Sequence, residues 1–248
     1  SSMIRSGDGR TNRYDVEAGN NTYDNAVIEN SKISEKNKIQ NNQSMLDDIM
    51  NSTQYPKQLK DIALKNEEAL EFVYDYPAEH VKEHTIDLTE EASMDSVPLF
   101  VQWDKRWGYE KYSGNFFAAS GCGPTTLSMV VVYLTHNREA SPIAVAKYSK
   151  EAGYSVDGSG SSWTLISEGC RHYGVKAKAV ALDESRMKAE LDKGHPIVVN
   201  VGPGDFTDTG HFMVITGYDD EGFSINDPNS IEKSGKRWLF KNISSQIR

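Results

Sequence analysis

Only two cysteines stand in this chain of 248 residues, too few for a disulfide framework, so each thiol is judged by its own surroundings. Basic residues are in deficit as well. The formal net charge of −9 leaves no stripe of Lys and Arg to neutralise phosphates, which excludes sequence-independent nucleic-acid binding and argues against an anionic membrane surface. No window approaches the roughly eighteen continuous apolar residues needed to cross a bilayer, and the start has no hydrophobic signal-peptide core. Ser1-Ser2-Met3 reads instead as a cloning remnant before a truncated start, so the expectation is that a signal or anchor segment has been removed.

What is present is unevenly spread. Up to about Ile39 the chain is mostly Ser, Asn, Asp, Lys and Gly, a polar arm (residues 1–39) whose composition alone predicts disorder. Ordered, it would lie on the surface of its own main domain, on a neighbouring molecule or, like a propeptide, across a cleft. Residues 40–96 read as a helical extension: Met45, Ile49 and Met50 share a face, Pro56 opens a helix through Leu59, Ile62 and Ala63, and Leu70, Val73 and Tyr74 follow. His80 and His84 are four apart, but Glu83 is misplaced for a His-Glu-x-x-His zinc helix and Pro77 just precedes them, so they read as surface residues with no metal implied.

From about Val97 to Arg248 short apolar runs alternate with Gly, Pro and Asp, the pattern of one compact domain. A helix is predicted from Cys122 to about Leu134, with Leu127, Val130, Val131 and Leu134 at helical spacing. Ser141-Pro142 opens a second, ended by Gly153. Ser161 or Ser162 caps a third carrying Trp163, Ile166, Cys170 and Tyr173, and Asp183 caps a fourth with Met187 and Leu191, stopped by Gly194. Strands are then expected at 175–179, 197–201, 211–218 and 223–226, with one more from 238 to 243. N-terminal helices against an antiparallel sheet make an α+β fold.

The chemistry-bearing residues cluster in that domain. Cys122, in Ser120-Gly121-Cys122-Gly123-Pro124, stands at a predicted helix N-terminus, where partial positive charge and unpaired N–H groups favour a thiolate, and its flanking glycines leave room for a substrate carbonyl. His211 opens an apolar strand, and a hairpin returns Asp227 towards it, so an imidazole base oriented by a carboxylate is possible. The plainer readings stand beside these: a turn before a helix, a structural His, and an Asp-Pro-Asn turn opener. Cys170, on an apolar helical stripe, reads as a buried inert thiol. Trp103, Trp107 and Trp163 are candidates for a cleft lining, with core packing expected for at least two.

At these residues the chain resembles the C39-like peptidases, bacterial relatives of the papain fold, and in particular their extracytoplasmic members. The matching segments are Val97 to Gly108, Gly121 to Thr125, Gly202 to Phe206, Gly210-His211-Phe212 and Asn226 to Ser230. The resemblance implies a papain-like cysteine peptidase fold with Cys122 as nucleophile, His211 as general base and then acid, and Asp227 as orienting carboxylate. It also makes Gln102 the oxyanion donor, although Gln102 lies farther from Cys122 in sequence than in the usual papain arrangement; Asn115 or the Ser120 hydroxyl would be the substitutes. Implied with these are a peptide or protein substrate, no cofactor, and a place outside the bacterial cytoplasm. Acyl transfer on cell-wall peptides and a catalytically silent binding module are the competing expectations.

Overall fold

The computed structural model describes residues 20–248. Residues 1–19, the first half of the expected polar arm, lie outside the described residues. By contacts the chain divides into Ser1–Ser44 and Met45–Arg248. In the first unit the described residues form most of helix α1, Asn20–Asn51, so this stretch is helical where its composition alone predicts disorder. No Pro or Gly interrupts those residues, and nothing in them breaks the i to i−4 ladder.

In the second unit the end of α1 joins α2 (Lys57–Lys65) and α3 (Leu70–Tyr74). Their apolar residues Ile49, Leu59, Ala63, Leu70, Phe72 and Val73 pack with Phe116 and Ala118 into one core cluster. Pro56 stands just before α2, as its fixed φ suits a helix start. The helical extension is therefore packed against the turn that leads to Cys122.

Two longer helices follow, α4 (Cys122–Thr135) and α5 (Pro142–Glu151), the latter capped by Ser141, whose hydroxyl accepts from the Ala144 amide. The expected helix through Trp163 to Tyr173 is broken into Thr164–Ser167 and a 3-10 turn, Gly169–Tyr173. The break falls at Glu168, whose φ of −119° leaves the helical range, and Gly169, where a Cβ would stand 3.2 Å from the Tyr154 ring, opens the second piece. Asp183 caps α6 (Glu184–Asp192) as expected, accepting from the Arg186 amide.

The main sheet is antiparallel, in the order β1 (Ile197–Val201), β2 (His211–Asp219), β3 (Gly222–Asn226) and β4 (Arg237–Trp238). Residues 175–179 form no strand: Ala177 and Ala179 are exposed beside Lys176 and Lys178, and alanines offer too little side chain to hold a sheet face. The expected strand from 238 to 243 shrinks to β4 and gives way to a helix, Phe240–Ser244. Phe240 and Ile243 both join the core there, and a three-residue spacing is helical.

Strand β2 serves two cores at once. Phe212 and Val214 face the cluster built around α4, while Met213 and Ile215 face a second cluster with Met187 of α6 and Phe223 and Ile225 of β3. Alternate residues point to opposite faces, so burial on both sides needs a run of apolar residues without alternation, as β2 has. Each large side chain so buried contributes about 1.5–3 kcal/mol. The result is the expected α+β arrangement, with α4 and the start of β2 meeting at one end.

Candidate active site

Cys122 is the first residue of α4, after a short helix Phe117–Ser120 and Gly121. The glycines on either side leave room for protein, not for a substrate carbonyl as the sequence suggests. A Cβ at Gly121 would stand 2.6 Å from the Phe117 ring, and one at Gly123 2.8 Å from the Ser161 side chain. The nucleophile candidate is thus wedged between its own preceding turn and the hairpin Ser155–Ser161. It is itself only half-buried.

His211 opens β2, paired with Val201, and is 6% exposed. Its Nε2 lies 2.7 Å from Asp227 Oδ1, which leaves Nδ1 as the nitrogen available to Cys122, whose thiol His211 lowers. Asp227 is fully buried, and the same Oδ1 accepts from the Asn229 amide at 2.8 Å. Its own amide donates to Ser234 Oγ at 2.8 Å. The second carboxylate oxygen, Oδ2, is buried with no partner among the described residues, so the whole anionic demand of this carboxylate is directed through His211 and one backbone amide.

Asp227 reaches His211 because of an irregularity in the sheet. From the turn, Asp219 pairs with Gly222, Tyr218 with Phe223 and Gly217 with Ser224, but then Ile215 pairs with Ile225 and Val214 with Asn226. Thr216 is the extra residue, its hydroxyl donating to the Ser224 carbonyl and hydroxyl at 3.3 and 3.1 Å. Continued by one residue, this register sets Asp227 opposite Met213, on the face that His211 shares. Were Thr216 paired in a regular ladder, the register would set Asp227 opposite Val214, on the other face.

The electrostatics follow from this geometry. Burial pushes the Cys122 thiol up, but the hydrogen bond and charge of His211, with the Phe212 and Gly123 amides, overcome it and hold the thiol below its ordinary value. For His211 burial favours the neutral ring; Asp227, by charge and hydrogen bond, and Cys122 outweigh it and raise the imidazolium to about 10. A thiolate–imidazolium pair is the state both shifts favour. Cys170 has the opposite environment: it is buried in the core and burial pushes its thiol up.

Gln102 is brought to the same place. Its amide donates to the Pro228 carbonyl at 2.7 Å and its side-chain Nε2 to the Ala118 carbonyl at 2.8 Å, so it bridges the Asp227 segment and the turn before Cys122. The long sequence interval is taken up by a hairpin, Lys111–Tyr112 with Asn115–Phe116, closed where Phe117 N meets Glu110 O at 2.7 Å. Nε2 carries a second N–H for another acceptor. Of the two substitutes, the Ser120 hydroxyl is committed elsewhere, donating to the Tyr112 and Phe116 carbonyls, while Asn115 is tied to the Phe116 amide through Oδ1.

The remaining candidates fall outside this cluster or at its edge. Trp107 is in the core and Trp103 is half-buried, donating to the Asn229 carbonyl at 3.1 Å. Trp163 is 44% exposed and stacks on Phe212 with ring centroids 5.7 Å apart, so of the three it alone presents an open face beside the site. The loop from Gly202 to Gly210 leads into His211 and is tied down by Gln246, which accepts from the Gly202 and Asp205 amides. His80 and His84 bond the Tyr76 and Glu79 carbonyls and line, with Tyr109 and Lys105, a separate cavity of about 380 Å³. Among the described residues no group of three potential metal ligands occurs, and no helix is long and apolar enough to cross a membrane.

The model of the Peptidase_C39 like family matches residues 94–246, which is more than half of the chain and contains Cys122, His211, Asp227 and Gln102. The chain belongs to the C39-like peptidase family. A solved chain from Bacillus anthracis, described as a candidate C39-like peptidase, is similar to this one at 17% identity and a TM-score of 0.38, covering 62% of this chain and 94% of its own. No curated protein matches. Family membership assigns this C39-like protein to a peptidase type and an α+β fold, and residues 40–93, most of the helical extension, lie outside the matched region.

Proposed function

We propose that this C39-like protein is a cysteine peptidase that cleaves a peptide or related amide bond through an acyl-enzyme thioester. The observation that carries the reading is the alignment of Cys122, His211 and Asp227: a thiol held below its ordinary value, bonded to an imidazole whose other nitrogen is fixed 2.7 Å from a buried carboxylate. In this reading the thiolate attacks the carbonyl carbon and the electron pair moves to oxygen. The oxyanion meets the Cys122 amide, which the helix leaves free at its first residue, and the second N–H of Gln102. As the C–N bond breaks, the His211 imidazolium gives its proton to the departing amine.

The neutral imidazole then takes a proton from water, whose oxygen attacks the thioester; the C–S bond breaks and the acid product leaves with Cys122 again a thiolate. Asp227 holds the ring and favours the imidazolium without taking a proton itself. A place outside the bacterial cytoplasm is part of the proposal and rests on the resemblance of the sequence to extracytoplasmic members of the family.

The test is the pH dependence of Cys122 alkylation by iodoacetamide, in the chain with Cys170→Ala and in the same chain with His211→Ala. A thiol titrating well below the free value of about 8.5, and raised when His211 is lost, is the expected result. An ordinary titration indifferent to His211 would leave a silent binding module as the better account. Incubating the reactive protein with peptide mixtures, with and without added amines, then separates hydrolysis from acyl transfer by product mass.

A further inference from the structure

The segment that carries Asp227 is gripped by residues from outside the family-matched region. Glu68 Oε1 accepts from the Ile231 and Glu232 amides at 2.8 and 3.0 Å, and its Oε2 from the Ser230 hydroxyl at 2.5 Å. Asn66 Nδ2 donates to both the backbone carbonyl and the side-chain oxygen of Asn229, each at 3.1 Å. Asn66 Oδ1 meanwhile accepts from the Glu68 amide at 3.1 Å, fixing the backbone from which the carboxylate extends. These contacts join positions separated by more than 160 residues.

The grip is well placed to act on the reactive pair. The two amides that Glu68 receives open a short helix, Ile231–Ser234, and have no partner within it, so a carboxylate there makes charge-assisted bonds that water would replace only loosely. Ser234, at the end of that helix, accepts from the Asp227 amide and donates to the Ser230 carbonyl at 2.6 Å. A continuous line of hydrogen bonds thus runs from Glu68 through the 230–234 turn to the backbone of Asp227 and, through its carboxylate, to His211.

We propose that Glu68, supported by Asn66, is a positioning residue for the Asp227–His211 pair, which makes the helical extension a working part of the reactive unit and not an accessory to it. This inference rests on the cysteine-peptidase reading above. Its energetic logic is geometric. A hydrogen bond weakens steeply with misalignment, so a turn released from Glu68 lets the Asp227 carboxylate drift from Nε2, and the imidazolium that lowers the Cys122 thiol loses its support.

The experiment uses the full chain with Cys170→Ala as parent, and adds Glu68→Ala, Glu68→Gln and Asn66→Ala, each assayed for the pH dependence of iodoacetamide alkylation and for thermal melting. In Glu68→Ala the Cys122 titration is expected to rise by about one pH unit, a tenfold loss of thiolate on the acidic side. Glu68→Gln, which keeps an oxygen for the two amides, is expected to recover part of that shift. An unshifted titration in Glu68→Ala, whether or not its melting temperature falls, makes Glu68 a structural strut and overturns the inference. If Glu68→Ala does not fold, Glu68→Gln and Asn66→Ala decide: unshifted titrations in both overturn it and a rise in either supports it. A parent whose thiol is itself ordinary and indifferent to His211→Ala overturns the peptidase reading and this inference together, whereas a reactive parent matched by all three variants overturns this inference alone.

Discussion

At the scale of single residues, the site is defined by opposed pressures on two protons. Burial acts against both charges, and the Asp227 carboxylate decides in favour of the imidazolium. Replacing Asp227 by Asn keeps an oxygen near Nε2 but removes the charge, so the His211 titration is expected to fall from about 10 towards its ordinary value of about 6.5. The sign fixes the consequence: the ion pair exists above the thiol's titration and below that of the ring. The alkaline limb of peptide cleavage therefore moves to lower pH in the variant, and turnover drops about tenfold or more; a pH–rate profile measures both. A profile with an unmoved alkaline limb would assign that limb to another group.

Gly123 offers a second residue-scale prediction. Adding a methyl group there sets a Cβ 2.8 Å from Ser161, an overpacking expected to cost about 1–3 kcal/mol. Gly123→Ala is expected to lower the melting temperature and slow Cys122 alkylation, and Ser161→Gly in the same chain to restore both. Failure of the double variant to recover would place the strain elsewhere. No sequence pattern discloses this constraint, because Ser161 lies far along the chain and meets Gly123 only in the folded state.

At the scale of elements, the departure of β2 and β3 from regular pairing matters more than their lengths. Deleting Thr216 closes the ladder with Ile215 still paired with Ile225 and Asp227 still opposite Met213, and turns over the 217–219 end of β2 instead. The deletion variant is expected to keep the pH-dependent reactivity of Cys122 while its melting temperature falls; loss of that reactivity would show that the bulge itself orients the carboxylate. Helix starts were legible in the sequence where a side chain marks them, as at Ser141 and Asp183. So were the strands with large apolar runs, and the gathering of Cys122, His211, Asp227 and Gln102 at one end of the domain. The stretch 175–179 misled because alternating Ala and Lys imitates a strand without the area to bury. The register shift at Thr216 and the reach of Glu68 to Ile231 leave no local signal, since both depend on which distant segments come to lie side by side.

At the scale of the whole molecule, the family-matched region shares part of its core with the helices that precede it. Phe116 and Ala118, which flank the turn into Cys122, are covered by Ile49, Leu59 and Phe72 from the preceding helices, and exposing such a patch invites association. A chain starting at Met45, the first residue of the second unit, is expected to keep the melting transition and the Cys122 titration of the full chain. One starting at Met94 is expected to aggregate or melt tens of degrees lower. Light scattering and thermal melting distinguish these outcomes, and a well-behaved Met94 chain would show that the extension is dispensable for folding.

The double duty of β2 also governs how the protein opens. Because its residues alternate between two clusters, neither can loosen at Met213, Val214 or Ile215 without disturbing the other. Their amide hydrogens are expected to exchange with solvent only when the entire second unit unfolds. His211 opens that same strand, paired with Val201, which is itself fully buried and bridged to Ile247, so this end of the strand is held as well. The imidazole is thus expected to keep its place until the second unit as a whole gives way.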